Sequence, residues 1–175
     1  TIGGNVLLDT RCQWYNQTYF WRSAIGFCLK KDGTVCHVVA GGSRCVAAAS
    51  NDTAPALMTL RASLDVAGRH GRRQVPIDQF WTSDGMRHHR LADGEILVSI
   101  SIPKTPAGHR GAYGKLRDRG SIDYPLLGVA ARLDLGGDGV VQQSDLVLTA
   151  LAATPRRITS ADALLRGARP GTPSF

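Results

Sequence analysis

The stretch EILVSISI at residues 95–102 alternates apolar and polar residues and is followed by Pro103. An alternation with a period of two predicts a β-strand with one buried face, and proline ends it because it lacks a backbone N–H. Bounded apolar runs of similar character predict further strands at residues 63–67, 113–117, 126–135 and 145–151. The chain therefore contains several short strands that are spread over its length.

Two short helices are predicted among these strands. Residues 53–60 (TAPALMTL) follow Asp52, which stands in an N-cap position, and residues 160–165 form the second helix. The turn GGDG at residues 136–139 and the tail GARPGTPSF at residues 167–175 have loop composition. Short strands mixed with short helices predict an α+β fold. The abrupt start and the short C-terminal end lead us to expect an internal fragment of a longer polypeptide.

Composition and charge limit the classes of function. The chain has 175 residues, 43% of them hydrophobic and 20% charged, as in globular proteins. No apolar run reaches about 18 residues and no signal peptide is visible, so we expect a cytoplasmic protein without a membrane span. The net charge of +7 comes from scattered arginines with no basic run among aromatics, so we expect no nucleic-acid binding. Anionic cofactors or an acidic partner would explain the sign of the charge.

Four cysteines lie within 34 residues and are the only cysteines of the chain: Cys12, Cys28, Cys36 and Cys45. Their spacing, C-x15-C-x7-C-x8-C, leaves several interpretations open. Two disulfides require an oxidising compartment, and structural zinc sites usually contain a C-x2–4-C pair that is missing here. Four thiolates also suit an iron–sulfur cluster, although ferredoxin spacing is tighter. The last alternative is four buried, unpaired cysteines, which behave as small hydrophobes.

The segment TIGGN at residues 1–5 suggests a close approach of the backbone to a ligand. Gly3 and Gly4 lack a Cβ atom, so a turn with positive φ can direct peptide N–H groups toward an anion such as a phosphate. Such a turn is also common without any ligand. The pair His88 and His89 is expected at the surface, as is Lys115, which stands alone in a predicted strand.

Together, these segments resemble the FAD-binding medium subunit of the molybdenum hydroxylase (xanthine dehydrogenase) family. TIGGN resembles the motif that contacts the FAD pyrophosphate, which implies Thr1, Gly3, Gly4 and Asn5 as contacts. Residues 50–66 (SNDTAPALMTLRASLDV) resemble the following stretch, where an Asp contacts the adenosine side of FAD. Residues 94–103 (GEILVSISIP) and 112–133 (AYGKLRDRGSIDYPLLGVAARL) resemble strands that place a Leu and a Lys near the flavin ring. The implied flavin residues of these three stretches are Asp52, Leu97 and Lys115.

The resemblance also gives a reading of the cysteines. Most members of the family have only a few residues between the TIGGN motif and Asp52, whereas this chain has about 40 more. An insertion with similar cysteine spacing is found in the β subunit of the 4-hydroxybenzoyl-CoA reductase type, where it holds an extra [4Fe–4S] cluster. The resemblance therefore implies Cys12, Cys28, Cys36 and Cys45 as cluster ligands. His37, next to Cys36, is a further candidate ligand or donor, or an ordinary surface residue.

The implied domains are the second half of a PCMH-type FAD-binding domain at residues 1–105, with the iron–sulfur insertion at about residues 10–50, and an incomplete C-terminal domain of the CO dehydrogenase flavoprotein type at residues 106–175. The family's first flavin motif precedes TIGGN and is missing from this sequence. Leu8 stands where some relatives carry a hydroxyl group that helps to bind phosphate.

The implied function is electron transfer without catalytic residues in this chain. A ferredoxin would supply electrons through [4Fe–4S] and FAD to a large molybdenum subunit, beside a small [2Fe–2S] subunit, in a dimer of heterotrimers. The reaction would be reductive removal of the hydroxyl group of 4-hydroxybenzoyl-CoA, giving benzoyl-CoA. One alternative is the FAD subunit of a related hydroxylase or dehydrogenase acting on another aryl-CoA or an N-heterocycle. An alternative of another class is a binding module held together by zinc or disulfides.

Overall fold

The computed structural model describes residues 1–172, which form two antiparallel sheets and several short helices. The helices are α1 (Ile2–Val6), α2 (Tyr19–Ala24), α3 (Thr53–Thr59) and α4 (Ser160–Leu165), with a 3₁₀ turn at Ile77–Gln79. The strands are β1 (Ser63–Gly68), β2 (Gly71–Pro76), β3 (Ile96–Ser101), β4 (His109–Leu116), β5 (Leu127–Leu135), β6 (Val141–Thr149) and β7 (Arg156–Arg157). The predicted α+β class is confirmed.

The first sheet has the strand order β2-β1-β3, so β1 is the central strand. Leu64 and Val66 of β1 are fully buried, whereas β2 turns most of its residues to solvent. Gly71, at φ +108°, closes the hairpin between β1 and β2 in a conformation that other residues rarely adopt. Leu97 on β3 pairs with Val66 and packs partly buried against the core. This sheet therefore packs one of its faces against the hydrophobic core.

The second sheet has the strand order β4-β5-β6-β7 and contacts α3 through β5 and β6. A shared hydrophobic core joins both sheets through this helix. It contains Leu57 and Met58 from α3, Leu64 and Val66 from β1, and Val147 from β6. Helix α3 therefore lies between the two sheets. The boundary predicted near residue 105 falls between β3 and β4 and stays a prediction.

The cysteine segment, residues 8–50, is largely irregular and leaves and re-enters the fold at one place. Arg11 and Ala48 exchange two backbone hydrogen bonds of 2.9 Å, which close the segment at its base. Helix α2 is its one regular helix among the described residues, and the Thr18 side chain caps it by accepting from Trp21 N. The segment therefore begins and ends at one place in the fold. The insertion predicted at about residues 10–50 stays a prediction.

Several differences from the sequence prediction concern the strands: the short β7 was not predicted, and β4 begins at His109 and not at residue 113. Strand β2 was not predicted, because its residues GRRQVP lack an apolar alternation and only Val75 is buried. Strand β6 begins at Val141, four residues before the predicted start at residue 145. The predicted loop at residues 167–175 is irregular through Thr172, and its last three residues lie outside the described part. Within residues 1–172, none of the helices has the length and apolar character needed to cross a bilayer.

Candidate functional site

A cavity of ≈ 460 Å³ lies beside α1 and the start of α3. Its lining includes four of the flavin contacts that the family resemblance implies: Thr1, Gly4, Asn5 and Asp52. The rest of the lining comes from Leu8, Ser50, Arg119, Ile122, Asp123 and Tyr124. The structure therefore brings the TIGGN segment, the residues before α3 and the turn after β4 together around one space.

The TIGGN segment is a short helix and not an open glycine turn. Thr1 caps it by accepting a hydrogen bond from Gly4 N at 3.1 Å. Neither Gly3 nor Gly4 adopts a positive φ, so the expectation of a left-handed turn is wrong. Glycine is nevertheless favoured here, because a Cβ atom on Gly4 would lie 3.0 Å from the cap oxygen Oγ1 of Thr1. A Cβ atom on Gly3 would make an ordinary 3.9 Å contact with Leu97.

Two asparagines, Asn5 and Asn51, hold α1 and α3 together. The Asn5 Oδ1 atom accepts from the Thr53 N–H at 2.9 Å and from the Thr53 hydroxyl at 2.7 Å, and so caps α3. In return, the fully buried Asn51 donates from Nδ2 to the carbonyls of Asn5 at 2.6 Å and Val6 at 3.2 Å. These carbonyls lie at the end of α1, where few intrahelical partners remain, and that of Asn5 also accepts from Leu8 N at 3.2 Å. We call these contacts the asparagine clasp.

The carboxylate of Asp52 contacts β4 and does not cap α3. Asp52 precedes α3, as predicted, but makes no capping hydrogen bond. It accepts instead from Lys115 Nζ at 2.9 Å and from the Tyr113 hydroxyl at 3.1 Å. Burial, followed by the charge of Asp52, raises the pKa of Tyr113 well above its usual range. Lys115 also donates to the carbonyl of Asp123 at 2.6 Å and is only 21% exposed, so the expectation of a solvent-facing lysine is wrong.

One polar atom in this cavity has no hydrogen-bond partner. Ser50 Oγ is buried and unpartnered, and Ser50 lines the cavity. A hydroxyl in that condition suits a polar ligand, because burial without a hydrogen bond is costly. The hydroxyl groups of Thr1 and Ser50 and the side chain of Asn5 suit a hydroxyl-rich ligand such as a dinucleotide. Arg119, which also lines the cavity, is paired there with Asp123. Leu97 lies next to Gly3 but outside the lining of this cavity.

The four cysteines line a second, smaller cavity of ≈ 20 Å³ inside the cysteine segment. Cys28 and Cys45 are buried, and Cys12 and Cys36 are partly exposed. All four are free thiols, and no disulfide joins them. Within residues 1–172, no three His, Cys, Asp or Glu side chains converge closely enough to hold a single metal ion. The thiols thus surround one space without meeting at one point.

Aromatic and cationic side chains enclose this cavity. Trp14 stacks on His37 with ring centres 5.1 Å apart, and the His37 Nε2 atom lies 2.5 Å from the carbonyl of Phe27. His37 therefore borders the cysteines with that nitrogen already engaged. Arg22, which is 9% exposed, lies over the rings of Tyr15 and Phe27 at 5.2 and 5.4 Å. The cysteines consequently stand in an apolar surrounding that contains buried positive charge.

The loop at residues 82–93 closes this region from the other side. Cys45 N donates to Asp84 Oδ1 at 3.1 Å, and Gly85 N donates to the carbonyl of Cys45 at 2.8 Å. Burial raises the pKa of the Cys45 thiol, while the charge of Lys30 opposes this rise. His88 is 5% exposed and contacts Asp9 at 3.4 Å, so the expected surface position is wrong for it. Burial lowers the pKa of His88, and the neighbouring His89 adds to this effect.

Sequence reasoning missed several residues of these sites. Tyr113 could have been found, because it lies two positions before Lys115 on one strand and so faces the same side. The sequence gives no indication of a role for Ser50 or Asn51 except that they directly precede Asp52. Lys30 meets its partners across 20 to 55 residues of sequence, so no local pattern reveals it.

Comparisons with known proteins identify the family to which the chain belongs. The family model described as "FAD binding domain in molybdopterin dehydrogenase" matches residues 1–105. The FAD-binding subunit of the aldehyde oxidoreductase of Escherichia coli (strain K12) is 33% identical over 174 residues, covering 94% of this chain and 53% of that protein. The carbon monoxide dehydrogenase medium chain of Afipia carboxidovorans is 32% identical over 127 residues, covering 73% of this chain and 43% of that one.

Solved structures of related enzymes are similar to the chain in fold. Carbon monoxide dehydrogenase from Hydrogenophaga pseudoflava matches with a TM-score of 0.63 at 29% identity, over 71% of this chain and 42% of that chain. Quinoline 2-oxidoreductase from Pseudomonas putida 86 matches with a TM-score of 0.60 at 26% identity, over 69% of this chain and 40% of that chain. The chain spans about half the length, or less, of the curated relatives it matches.

Proposed function

Because the chain belongs to the family of FAD-binding domains of molybdopterin dehydrogenases, we propose that it is the electron-transfer subunit of a multi-subunit molybdenum enzyme, and that it holds FAD and a [4Fe–4S] cluster. The observation that carries the proposal is the presence of two cavities, one lined by residues of the TIGGN segment and Asp52 and the other by four free thiols. FAD supplies two-electron and one-electron chemistry when bound, and a cluster passes single electrons.

For FAD, the proposed contacts are those that surround the larger cavity. Thr1, Gly4 and Asn5 bound it at α1, where the pyrophosphate is expected to lie. Asp52 is expected to bind the adenosine side, and its bonds to Lys115 and Tyr113 fix the orientation of the carboxylate. The proposed roles of Gly3, Leu97 and Lys115 beside FAD rest on the family resemblance, since none of the three lines the cavity.

Substitution of Asp52 tests the FAD assignment. Asp52→Asn keeps the size of the side chain but removes its charge. A hydrogen bond to a charged group contributes about 1.5–3 kcal/mol, so FAD affinity is expected to fall about 10- to 100-fold. Asp93→Asn, an exposed position, serves as the control. Equal FAD affinity of both variants, measured by fluorescence titration of the full-length protein, would count against the proposed role.

For the cluster, the support is the set of donors and their surroundings. Four thiolates suit iron–sulfur ligation, and buried cations nearby suit a negatively charged group. The cavity between the thiols is about large enough for one water molecule, so a cube requires the segment to open around it. Binding of the cluster would then fix the conformation of the opened segment, as metal binding does in other small sites.

Loss of one thiolate tests the cluster. Cys28→Ser is expected to remove about four irons per chain, because a cube normally uses all four cysteines. Thr34→Ala, an exposed substitution in the same segment, is expected to keep the iron. Iron content is measured after anaerobic purification of the full-length protein. Zinc in place of iron in the unsubstituted protein would favour the binding-module alternative.

Two groups of substrates are candidates, and different observations favour them. The four-cysteine insertion favours reductive dehydroxylation of 4-hydroxybenzoyl-CoA with electrons from a ferredoxin. The match to the aldehyde oxidoreductase subunit favours oxidation of an aldehyde or related compound, because it covers 94% of the chain and so extends across most of the cysteine segment. The likeness to quinoline 2-oxidoreductase adds an N-heterocycle to this second group.

The direction of electron flow separates these candidates. The complex is mixed either with reduced ferredoxin and 4-hydroxybenzoyl-CoA, or with an aldehyde or N-heterocycle and an oxidised acceptor. Bleaching of the flavin by the aldehyde or heterocycle would favour the oxidase or dehydrogenase function. Formation of benzoyl-CoA would favour the reductase.

The partners in this proposal are a large molybdenum subunit and a small [2Fe–2S] subunit, in a dimer of heterotrimers in the cytoplasm. Four free thiols in one segment are compatible with a reducing compartment. Purification through a tag on this chain, followed by mass measurement of the intact complex, tests the partners. Recovery of this chain alone from its native host would contradict them.

A further inference from the structure

Lys30 is a buried cation that borders the cysteine cavity. Its side chain is 6% exposed, and it is part of the lining that contains the four cysteines. The ammonium group donates to Asp9 Oδ1 at 2.9 Å, Thr10 Oγ1 at 2.8 Å and Gly85 O at 2.7 Å. All three N–H bonds are thus directed to oxygens, which fixes the position of the charge.

The charge of Lys30 is only partly balanced by its neighbours. Asp9 is the one carboxylate bonded to it among the described residues, and it is 48% exposed, so water weakens its effect. Asp9 is also shared with His88, at 3.4 Å. On the inner side, Lys30 lines the same cavity as the four cysteines. The positive charge of Lys30 therefore contributes to the electrostatic potential inside the cavity.

We propose that Lys30 is a positioning residue that raises the reduction potential of the [4Fe–4S] cluster by holding a fixed positive charge beside it. This inference rests on the proposed function, since it requires the cluster. Each electron that enters a four-thiolate cluster adds negative charge, and a nearby buried cation favours the reduced state. Such charge is one of the established means by which a protein sets a cluster potential.

Lys30 also ties three segments together, so a purely structural role must be distinguished from an electrostatic one. Lys30→Gln keeps a hydrogen-bonding end and removes the charge. Lys30→Arg keeps the charge in a larger side chain. Lys31→Gln is the matched control, because Lys31 adjoins Lys30 but is exposed to solvent. A structural role predicts loss of iron or stability without a change in the potential of the cluster that remains.

The experiment is a redox titration of the cluster in the anaerobically purified full-length protein, followed by electron paramagnetic resonance, with iron content measured in parallel. In Lys30→Gln the reduction equilibrium is expected to shift about tenfold toward the oxidised state, which corresponds to about 59 mV for one electron. Lys30→Arg and Lys31→Gln are expected to stay near the potential of the unsubstituted protein.

A second variant keeps the test decisive if Lys30→Gln does not retain iron. Asp9→Asn removes the carboxylate that offsets Lys30, and the potential is expected to rise. A potential unchanged in Lys30→Gln, or not raised in Asp9→Asn, overturns the role of Lys30 while the cluster assignment stands. Absence of any cluster in the unsubstituted protein overturns the proposed function itself, and the role of Lys30 with it.

Discussion

The asparagine clasp makes a prediction that depends on hydrogen-bond direction. Asn51 acts as a donor, through Nδ2, whereas Asn5 acts as an acceptor, through Oδ1. Asn→Asp changes neither size nor shape, but an ionised carboxylate can only accept. We therefore expect Asn51→Asp to break the clasp and Asn5→Asp to preserve it. The two substitutions are chemically identical and serve as controls for each other.

The magnitude follows from the contacts. Asn51→Asp loses hydrogen bonds of 2.6 and 3.2 Å and places a carboxylate oxygen against the carbonyls of Asn5 and Val6. The Asn5 carbonyl keeps a backbone hydrogen bond from Leu8 N at 3.2 Å, whereas the Val6 carbonyl is left without a partner. An unpartnered buried polar group costs about 1–3 kcal/mol and a mispaired charged group costs more, so we expect a loss of about 2–4 kcal/mol in all. For a protein of this size, that corresponds to a fall in melting temperature of about 5–15 °C.

Asn5→Asp retains the acceptor that caps α3, and a negative charge at a helix N-terminus is favourable by about 0.3–1 kcal/mol. Its melting temperature is expected to stay within a few degrees of the unsubstituted protein. The assay is thermal unfolding of the full-length protein followed by circular dichroism. Equal melting temperatures for the two variants, or a larger loss in Asn5→Asp, would refute the reasoning.

Two further predictions concern the cysteine region and the first sheet. In Gly85→Ala, the new Cβ atom would lie 2.8 Å from Cys45 Sγ, so we expect overpacking to destabilise the protein by about 1–3 kcal/mol. Gly137→Ala, which meets no atom within 4 Å, is the control, and an equal melting temperature would contradict the contact. Arg73 lowers the pKa of Glu95 from 4.5 to about 2, so this pair stabilises the fold above pH 4.5 and loses its effect as the pH falls toward 2. The difference in melting temperature between the protein and Glu95→Gln should therefore close over that range, and a constant difference would contradict the assignment.

Regular strands were predictable because their local pattern agrees with their tertiary role. Strand β3 alternates along its length, and β5 is an apolar run that occupies almost the predicted residues. Strand β2 lacked such a pattern, because it is an exposed partner of β1 and gains its order from pairing. Helix α1 was hidden for a related reason. Glycines disfavour helix, and this helix depends on Asn51, which lies 45 residues or more away in sequence.

The two cavities show the same limit. The cysteines and Asp52 are chemically conspicuous residue types, and the structure gathers each set around one space. The residues that hold them have ordinary types and distant partners. The Lys30 ammonium group donates to the carbonyl of Gly85, 55 residues away in sequence. The buried His88 contacts Asp9, which is also distant in sequence. Sequence patterns can identify reactive residues, but long-range contacts decide their charge environment.

The central claim is that this chain carries both FAD and a four-thiolate iron–sulfur cluster. The most direct test is electron paramagnetic resonance of the anaerobically purified full-length protein after reduction by dithionite, compared with Cys45→Ser. We expect one reduced [4Fe–4S] signal per chain and one FAD per chain, counted from the absorbance of the extracted flavin, with loss of the signal and retention of FAD in Cys45→Ser. A spectrum that is identical in both proteins, or thiols bound to zinc, would contradict it.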